Sequence, residues 1–522
     1  MSTTAAPPAQ AAPATGGAVP RGLAALIGLV SVGAALAAGA LAAVPVSPSS
    51  SPFLSVGETV IRFSPQWLTE FAKTTFGTAD KPILLASMLV VILVLAAVAG
   101  LCSRRSPLVG TLAVVAMGLL GLAAVVLSPA FAPLWLLPPV TALAVGPAVF
   151  RLLHRTALRS APGGGPRVSR RGVLLGAAGV GAGALVAAGG SVALTPSIEA
   201  ARRRVTARLA TLPLAEAAPP VPATAAFPES IRFITPNPEF YRVDVALTLP
   251  TQQETDWVCR IGGMVDNPLS LSFEDLLARP LVERTITMTC VSNEVGGPYT
   301  STARFVGVEL RDLLLEAGVQ PGADQVLSTS LDAWTAGTPT DVVMEPGRGA
   351  LLAVGMNGEA LPAEHGFPVR MVVPGLYGFL SATKWLADIE LTTFDAAQGY
   401  WLQRGWGKFA PIKTQCRIDT PRGFQQLAAG AVTVAGIAWS QPDGISRVEV
   451  RVDGGAWQDA ELATEVNGST WRMWRAALDP GPGSHTVTAR ATDAAGRTQP
   501  EERVPPIPDG ATGWPSTIFT VA

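Results

Sequence analysis

The chain has 522 residues, of which 48% are hydrophobic and only 15% charged, with a mean hydropathy of +0.36. It is too long for one ordinary domain and too apolar for a wholly soluble one. A formal net charge of −1 leaves no basic footprint for nucleic acid, and four cysteines are too few for a disulfide scaffold.

Residues 1–20, built from Ala, Pro, Thr and Gly, read as a disordered tail. Uncharged apolar runs follow near 22–44, 82–101, 108–128 and 130–150, each close to the ~20 residues that cross a bilayer as a helix. A fifth run, 172–194, is rich in Ala and Gly. Residues 21–195 are therefore expected to be a membrane region of about five transmembrane helices. Arg21, Arg104, Arg105 and the six arginines between 151 and 171 mark cytoplasmic ends. That places the loop 45–81 and everything after 195 outside, although Arg202, Arg203, Arg204 and Arg208 run against the rule. Ser169-Arg170-Arg171-Gly172-Val173-Leu174-Leu175 resembles a twin-arginine export motif. The plain alternative is two arginines closing a cytoplasmic loop.

Residues 196–228 read as a linker, a short basic helix followed by Pro- and Ala-rich chain. From 229 to 412 the pattern is mixed, with strand-like segments at 257–262 and 367–373. Ser272 and Asp275 form a capping box for a helix over 273–279, and an amphipathic helix over Val308–Ala317 stops at Gly318. The strands do not alternate with long helices, so α+β fits better than a doubly wound sheet. In 283–290, Thr285, Thr287 and Thr289 alternate with Ile286, Met288 and Cys290, the period of a strand with one buried face. It runs into a loop of Ser292, Asn293, Gly296, Gly297 and Pro298. From 413 to 522, AVTVAGIAW, ISRVEVRVDGGAW and HTVTARATDAAG are short strands with Asp-Gly and Gly-Gly turns, the pattern of an immunoglobulin-like β-sandwich.

On its residues alone Cys290 stays open. It fits a small buried hydrophobe. Zinc ligation lacks C-x-x-C or H-x-x-x-H company. A papain-like nucleophile has only His365 as a base in this domain. The neighbourhood says more. TCVSNEVGG, then STARFVGVELRDLL, then GMNGEALPAEHGFPVRMVVPGLYGFLSATKWL resemble, in order from about Phe233 to Pro411, the sulfite oxidase family of molybdenum enzymes. The C-terminal sandwich resembles that family's dimerisation domain. The resemblance implies a molybdenum–molybdopterin cofactor with one pterin and makes the Cys290 thiolate its metal ligand, a soft donor for a soft, sulfur-rich centre. It implies cofactor contacts from Asn237, Asn293, His365, Arg370, Ser381, Thr383 and Lys384. Arginine can hold a phosphate bidentately and lysine acts as a point charge.

The match also departs from the family. The arginine of the family's N-terminal block aligns with Pro236, the arginine shortly after the cysteine with Val295, and the active-site tyrosine with Trp406. Without those groups a desolvated sulfite dianion is poorly held. Arg304 and Arg404 remain as sources of positive potential, and Arg304 and Trp406 join Cys290 as candidate catalytic residues. The expectation is a membrane-anchored, extracytoplasmic oxidoreductase that transfers an oxygen atom on a small substrate other than sulfite. The alternatives are a methionine-sulfoxide-type S-oxide reductase and a binding module that keeps only the fold. The chain has no C-x-x-C-H haem motif and no histidine in the apolar runs, so a separate cytochrome or quinone-linked partner is expected to carry electrons. A homodimer and a Cys259–Cys416 disulfide complete the expectations.

Overall fold

The computed structural model describes residues 18–76, 79–157 and 197–522, with short stretches between 160 and 183. The tail expected over 1–20, the twin-arginine motif at 169–175 and the fifth apolar run at 172–194 lie largely outside the described residues. Two compact units are present, one of residues 1–196 with 246–251, the other of 197–245 with 252–522.

In the first unit, helices α1 (Arg21–Ala43), α2 (Pro52–Phe63), α3 (Gln66–Phe76), α4 (Asp80–Cys102), α5 (Pro107–Val126) and α6 (Leu137–Ala157) follow one another. Among the described residues four helices are long and apolar enough to cross a membrane: α1, α4, α5 and a fourth over Pro133–Ala157 that includes α6. Glycine brings α1 and α4 into backbone contact. A Cβ on Gly28 would sit 1.9 Å from the Ala96 carbonyl oxygen, and one on Gly100 would sit 2.0 Å from that of Ala24. Ile27, Val32, Val114, Phe150 and Leu153 form the core of the unit. The stretch 45–81 is not an open loop. It contains α2 and α3, whose Phe63 and Trp67 are exposed while Ser55 and Gly57 of α2 are buried. This one-sided pattern was masked by the scattered charges of the stretch.

The second unit begins with α7 (Ile198–Leu209). Here the expected linker is docked onto the fold. Ala201 and Val205 enter the main core, while Arg202 pairs with Glu199 and Glu359, Arg204 with Glu254, and Arg208 with Glu274. These arginines, which ran against the orientation rule, are thus paired within the fold. β1 (Leu214–Glu216) then pairs in parallel with β4 (Leu281–Thr289). Around them run β2 (Val258–Gly263), β3 (Leu269–Ser272), α8 (Phe273–Leu277), β5 (Thr300–Glu309), α9 (Leu310–Ala317), β6 (Gln325–Ser330), β7 (Thr335–Pro339), β8 (Leu351–Met356), β9 (Glu359–Ala360), β10 (Arg370–Val372) and β11 (Leu386–Thr392). One sheet has the order β9-β8-β5-β4-β1, with β10 added to β8, and a second has the order β3-β2-β11-β6-β7. This α+β module has its core between Ile286, Phe305, Leu313, Val354 and Ile389. The Ser272–Asp275 capping box forms, and Gly318, at φ +69°, ends α9.

The C-terminal residues form two further sheets. β12 (Gln415–Thr420), β14 (Val432–Trp439), β17 (Glu461–Leu462) and β18 (Arg472–Leu478) make one, in the order β12-β14-β18-β17. β13 (Gln425–Leu427), β15 (Ile445–Val452), β16 (Gln458–Asp459), β19 (Gly483–Asp493) and β20 (Ser516–Val521) make the other, in the order β13-β20-β19-β15-β16. Val434 and Trp474 of the first meet Val448, Val487 and Phe519 of the second in a common core.

The expected Cys259–Cys416 disulfide does not form. Cys259 is packed in the α+β core and Cys416 in the C-terminal core, where its Sγ donates to Gln499 Oε1. Both are free thiols, and burial pushes both thiols up. The C-terminal module also completes β4. Thr287 N donates to Ser469 O at 2.9 Å, Trp471 N to Thr287 Oγ1 at 2.7 Å, and Gln441 Nε2 to Thr287 O at 2.8 Å.

Candidate active site

β4 and β5 set the direction of Cys290. Ile286 and Met288 of β4 and Ala303 and Phe305 of β5 point into the α+β core. Thr287 and Thr289 point the other way, where their hydroxyls meet those of Thr302 and Thr300. The alternation turns Cys290 to the core side at the end of the sheet, where it is buried. Cys290 N donates to Tyr299 O at 3.0 Å and closes the loop between them, and Cys290 Sγ lies 2.9 Å from Ser292 Oγ. Asn293 is buried within that loop. Its Oδ1 accepts from Tyr299 N at 2.8 Å, while its Nδ2 is buried with no hydrogen-bond partner among the described residues.

A second set of residues comes from β10 and the chain beside it. Met371 N donates to Thr383 O, Val373 N to Ser381 O and Leu386 N to Val369 O, which lays 381–386 along β10. Arg370 is therefore buried between its own strand and that segment. His365 ends a short 3-10 turn at Gly366, whose φ is +110°. A Cβ on Gly366 would come within 3.1 Å of both Arg370 Cβ and Lys384 Cα, so glycine is needed for conformation and for space. Arg370 Nη1 donates to His365 O at 3.1 Å, and His365 Nε2 lies 3.2 Å from Asn237 O. Asn237 is held in turn by Glu359 Oε1 at 2.6 Å and by Asn357 Nδ2 at 2.8 Å. Lys384 Nζ pairs with Asp244 at 3.1 Å, and the two side chains are only 11% and 6% exposed.

Burial dominates the electrostatics here. It pushes His365 down to about 3, with Arg370 and Lys384 adding to the effect, so the ring is neutral at ordinary pH. It pushes Arg370 down to about 10 and Lys384 down to about 8, against the pull of Asp244 on the lysine. Two cations and a neutral imidazole share one buried region. His365 Nδ1, Arg370 Nε and Asn293 Nδ2 are all buried with no partner among the described residues. Of these, Arg370 Nε and Asn293 Nδ2 are donors, whereas His365 Nδ1 is an acceptor, because the neutral ring keeps its proton on Nε2 facing Asn237 O. Buried polar groups left unpaired are costly, and this set suits a ligand that offers both acceptor oxygens and donor groups.

The other expected residues are distributed as follows. Ser381 Oγ donates to the carbonyls of Leu376 and Tyr377, and Thr383 Oγ1 meets Ser328 Oγ at 2.6 Å; both are buried beside Arg370. Trp406 is packed against Phe379 and Trp401 in a core that also contains Val291 and Tyr377. Arg304 alternates with Ala303 and Phe305, so it lies on the face of β5 away from Cys290, with its Nε buried and unpartnered among the described residues. Arg404 lies over the Tyr400 ring at 3.6 Å and donates to Tyr400 O, which commits it to its own turn.

Three residues near the site were not singled out from the sequence. Tyr241 has its phenol pushed up by burial and then by Cys290, with Arg370 opposing, so it feels both the thiol and the guanidinium. Tyr377 is likewise pushed up by burial, with Cys290 contributing. Asp244 is the partner of Lys384. In FYRVD the tyrosine and aspartate follow Asn237 by four and seven residues, but no periodic pattern there marks them as inward-facing.

Residues 246–401 match the family model described as "Oxidoreductase molybdopterin binding domain", and residues 410–507 match "Mo-co oxidoreductase dimerisation domain". The chain is 32% identical over 320 residues to mitochondrial sulfite oxidase of Macaca fascicularis, covering 52% of this chain and 58% of that protein. It is 31% identical over 322 residues to sulfite oxidase of Gallus gallus, covering 52% of this chain and 70% of that protein. It is 36% identical over 152 residues to the uncharacterized oxidoreductase YuiH of Bacillus subtilis (strain 168), covering 29% of this chain and 73% of that protein. The chain thus spans 58% of the length of the mitochondrial relative.

Proposed function

Because the chain belongs to the sulfite oxidase family of molybdopterin-dependent oxidoreductases, we propose that it is a membrane-anchored, extracytoplasmic enzyme acting by oxygen-atom transfer on a small substrate other than sulfite. The observation that carries the reading is the burial of Cys290 and of the His365–Arg370–Lys384 cluster, with Tyr241 under the influence of both and with polar atoms of the cluster left unpartnered among the described residues. These residues fit the cofactor. Cys290 would hold the metal, and Arg370 and Lys384 would neutralise the cofactor's phosphate, with Asp244 released from the lysine. His365, Asn237 and Asn293 would supply neutral hydrogen bonds, and Ser381 and Thr383 would line the wall beside them. When bound, a single-pterin molybdenum centre supplies two-electron oxygen-atom transfer. The chain's own part is to bind, to orient and to limit access.

Pro236, Val295 and Trp406 support the exclusion of sulfite, since none of them can pair with a dianion. The same uncharged side chains favour a neutral S-oxide, with the exposed Tyr299 and the packed Trp406 as apolar neighbours. Arg304 would act through the potential it contributes. We read residues 21–195 as the membrane region, 196–228 as a partly docked connector, 229–412 as the molybdopterin-binding module and 413–522 as an immunoglobulin-like module for homodimerisation. A separate cytochrome or quinone-linked protein would exchange electrons, and the motif at 169–175 would direct export of the folded, loaded enzyme.

Metal analysis of the full-length protein from a molybdopterin-competent host tests the reading. We expect about one molybdenum per chain and loss of at least nine-tenths of it in Cys290→Ser. A protein that folds in such a host without molybdenum would instead be a binding module.

A further inference from the structure

The aromatic residues of the first unit are sorted to one end of it. Between residues 18 and 157, every aromatic residue except the buried Phe150 lies in the stretches that join α1 to α4 and α5 to α6. Arg21, Arg104, Arg105, Arg151 and Arg155 lie at or near the opposite ends of the same four helices. Helices that span a bilayer show this division, with aromatic rings at the lipid–water boundary and arginines on the cytoplasmic flank.

α2 is fixed at the level of the aromatic end. A Cβ on Gly39 of α1 would sit 3.3 Å from Pro52 Cδ, and one on Gly121 of α5 would sit 2.8 Å from Pro52 Cβ. At the other end of α2, Arg62 Nη1 donates at 2.7 Å to the carbonyl of Leu127, the C-cap of α5. One side of α2 is covered, because a Cβ on Gly57 would come within 2.6 Å of Leu247 and 3.5 Å of Met88 Sδ on α4. The chain that follows carries apolar surface. Phe63 is 70% exposed, Trp67 68% and Phe71 55%, and Leu68 is exposed beside them. Trp67, Leu68 and Phe71 share one stripe of α3, whereas positions 66, 70 and 73, which are Gln, Glu and Lys, fall opposite by helical spacing. α3 then leads within four residues into α4, whose Val90, Val91 and Val94 are also exposed.

We propose that α3 is an interfacial helix, with Trp67, Leu68 and Phe71 seated in the phospholipid surface on the side of the bilayer away from the arginines. The proposal rests on the membrane reading given above. A patch of large apolar side chains in this position calls for a cover, and the lipid that surrounds α4 is continuous with it. α3 contains one acidic and one basic residue, Glu70 and Lys73. Its seat is therefore apolar burial and not attraction to anionic headgroups.

Spin-label depth measurements on the full-length protein in phosphatidylcholine vesicles test the proposal. In a Cys102→Ser background the remaining cysteines are buried, and single labels enter through Trp67→Cys, Phe71→Cys, Lys73→Cys and, on α4, Val94→Cys. Power saturation against oxygen and a water-soluble nickel chelate reads the depth of each. We expect the labels at 67 and 71 to lie ~5–10 Å below the lipid phosphates. The label at 73 should lie at or above the phosphates, and the label at 94 deeper than all three. Vesicles containing phosphatidylglycerol should give the same depths. Labels at 67 and 71 that meet the chelate as freely as the label at 73 overturn the proposal. Shielding of both from both reagents also overturns it, since a second copy or another protein would then be the cover. Insertion only with anionic lipid overturns the apolar seat. If the label at 94 is itself in water, the membrane reading falls; if 94 is in lipid while 67 and 71 are in water, the interfacial helix alone falls. Leu68→Cys takes the place of either α3 variant that does not fold.

Discussion

At the scale of single residues, the site is a balance of buried charge, and His365 offers a direct measure of it. Its folded value of about 3 lies below the ordinary 6.5. Between these values the unfolded chain takes up a proton that the folded chain refuses. This group's contribution to stability therefore falls as pH drops through that window, by at most about 1.4 kcal/mol per pH unit. In protein produced without molybdopterin, the difference in Tm between wild type and His365→Gln should shift in favour of the variant from pH 6.5 to pH 4.5. A difference that stays constant would mean that the ring is charged in the folded state. The types of these side chains could be read from the sequence once the ordered blocks were seen, because HGFPVR and SATKW keep their cations. Their pairing could not. Asp244 reaches Lys384 across 140 residues, and no local pattern encodes such a meeting. Tyr241 escaped notice for the same reason.

At the scale of elements, helix α7 shows what binds the connector down. It carries four arginines, and three of them pair with acids elsewhere on the fold. Those pairs are mostly exposed and contribute little. Val205, by contrast, is buried in the main core. We expect Arg208→Ala to cost less than about 1 kcal/mol in thermal unfolding. Val205→Asp should cost more than about 3 kcal/mol and open the segment 197–216 to limited proteolysis. Comparable effects of the two would show that charge pairing, not packing, seats the helix. The local signals of α8, α9 and β4 were legible because cap, period and breaker agree in each. The docking of α7 was not, since its apolar stripe of Ile198, Ala201, Val205 and Leu209 is interrupted by a run of arginines. The amphipathic helices α2 and α3 were missed for a related reason: polar residues between two long apolar runs look like a loop until the period is measured.

At the scale of the whole molecule, orientation is the open quantity, and one thiol can report it. Cys259, Cys290 and Cys416 are buried, whereas Cys102 is exposed at the end of α4, just before Arg104 and Arg105. If those arginines face the cytoplasm, a membrane-impermeant maleimide should leave Cys102 unmodified in intact cells. After permeabilisation it should label about one site per chain. Labelling in intact cells would invert the proposed topology and place the catalytic module inside. The apolar runs that set this question were plain in the sequence, because four of them are long and nearly uncharged.

The hydrogen bonds that Ser469, Trp471 and Gln441 make to Thr287 also bear on the order of events during synthesis. Residue 287 leaves the ribosome well before residues 441–471, so the strand that delivers Cys290 spends that interval with an open edge, the kind of surface that recruits other strands. Only a nearly finished chain can shield it. The cysteine proposed to hold the metal thus takes its final setting late in translation, and on that reading insertion of the cofactor belongs after the chain is complete.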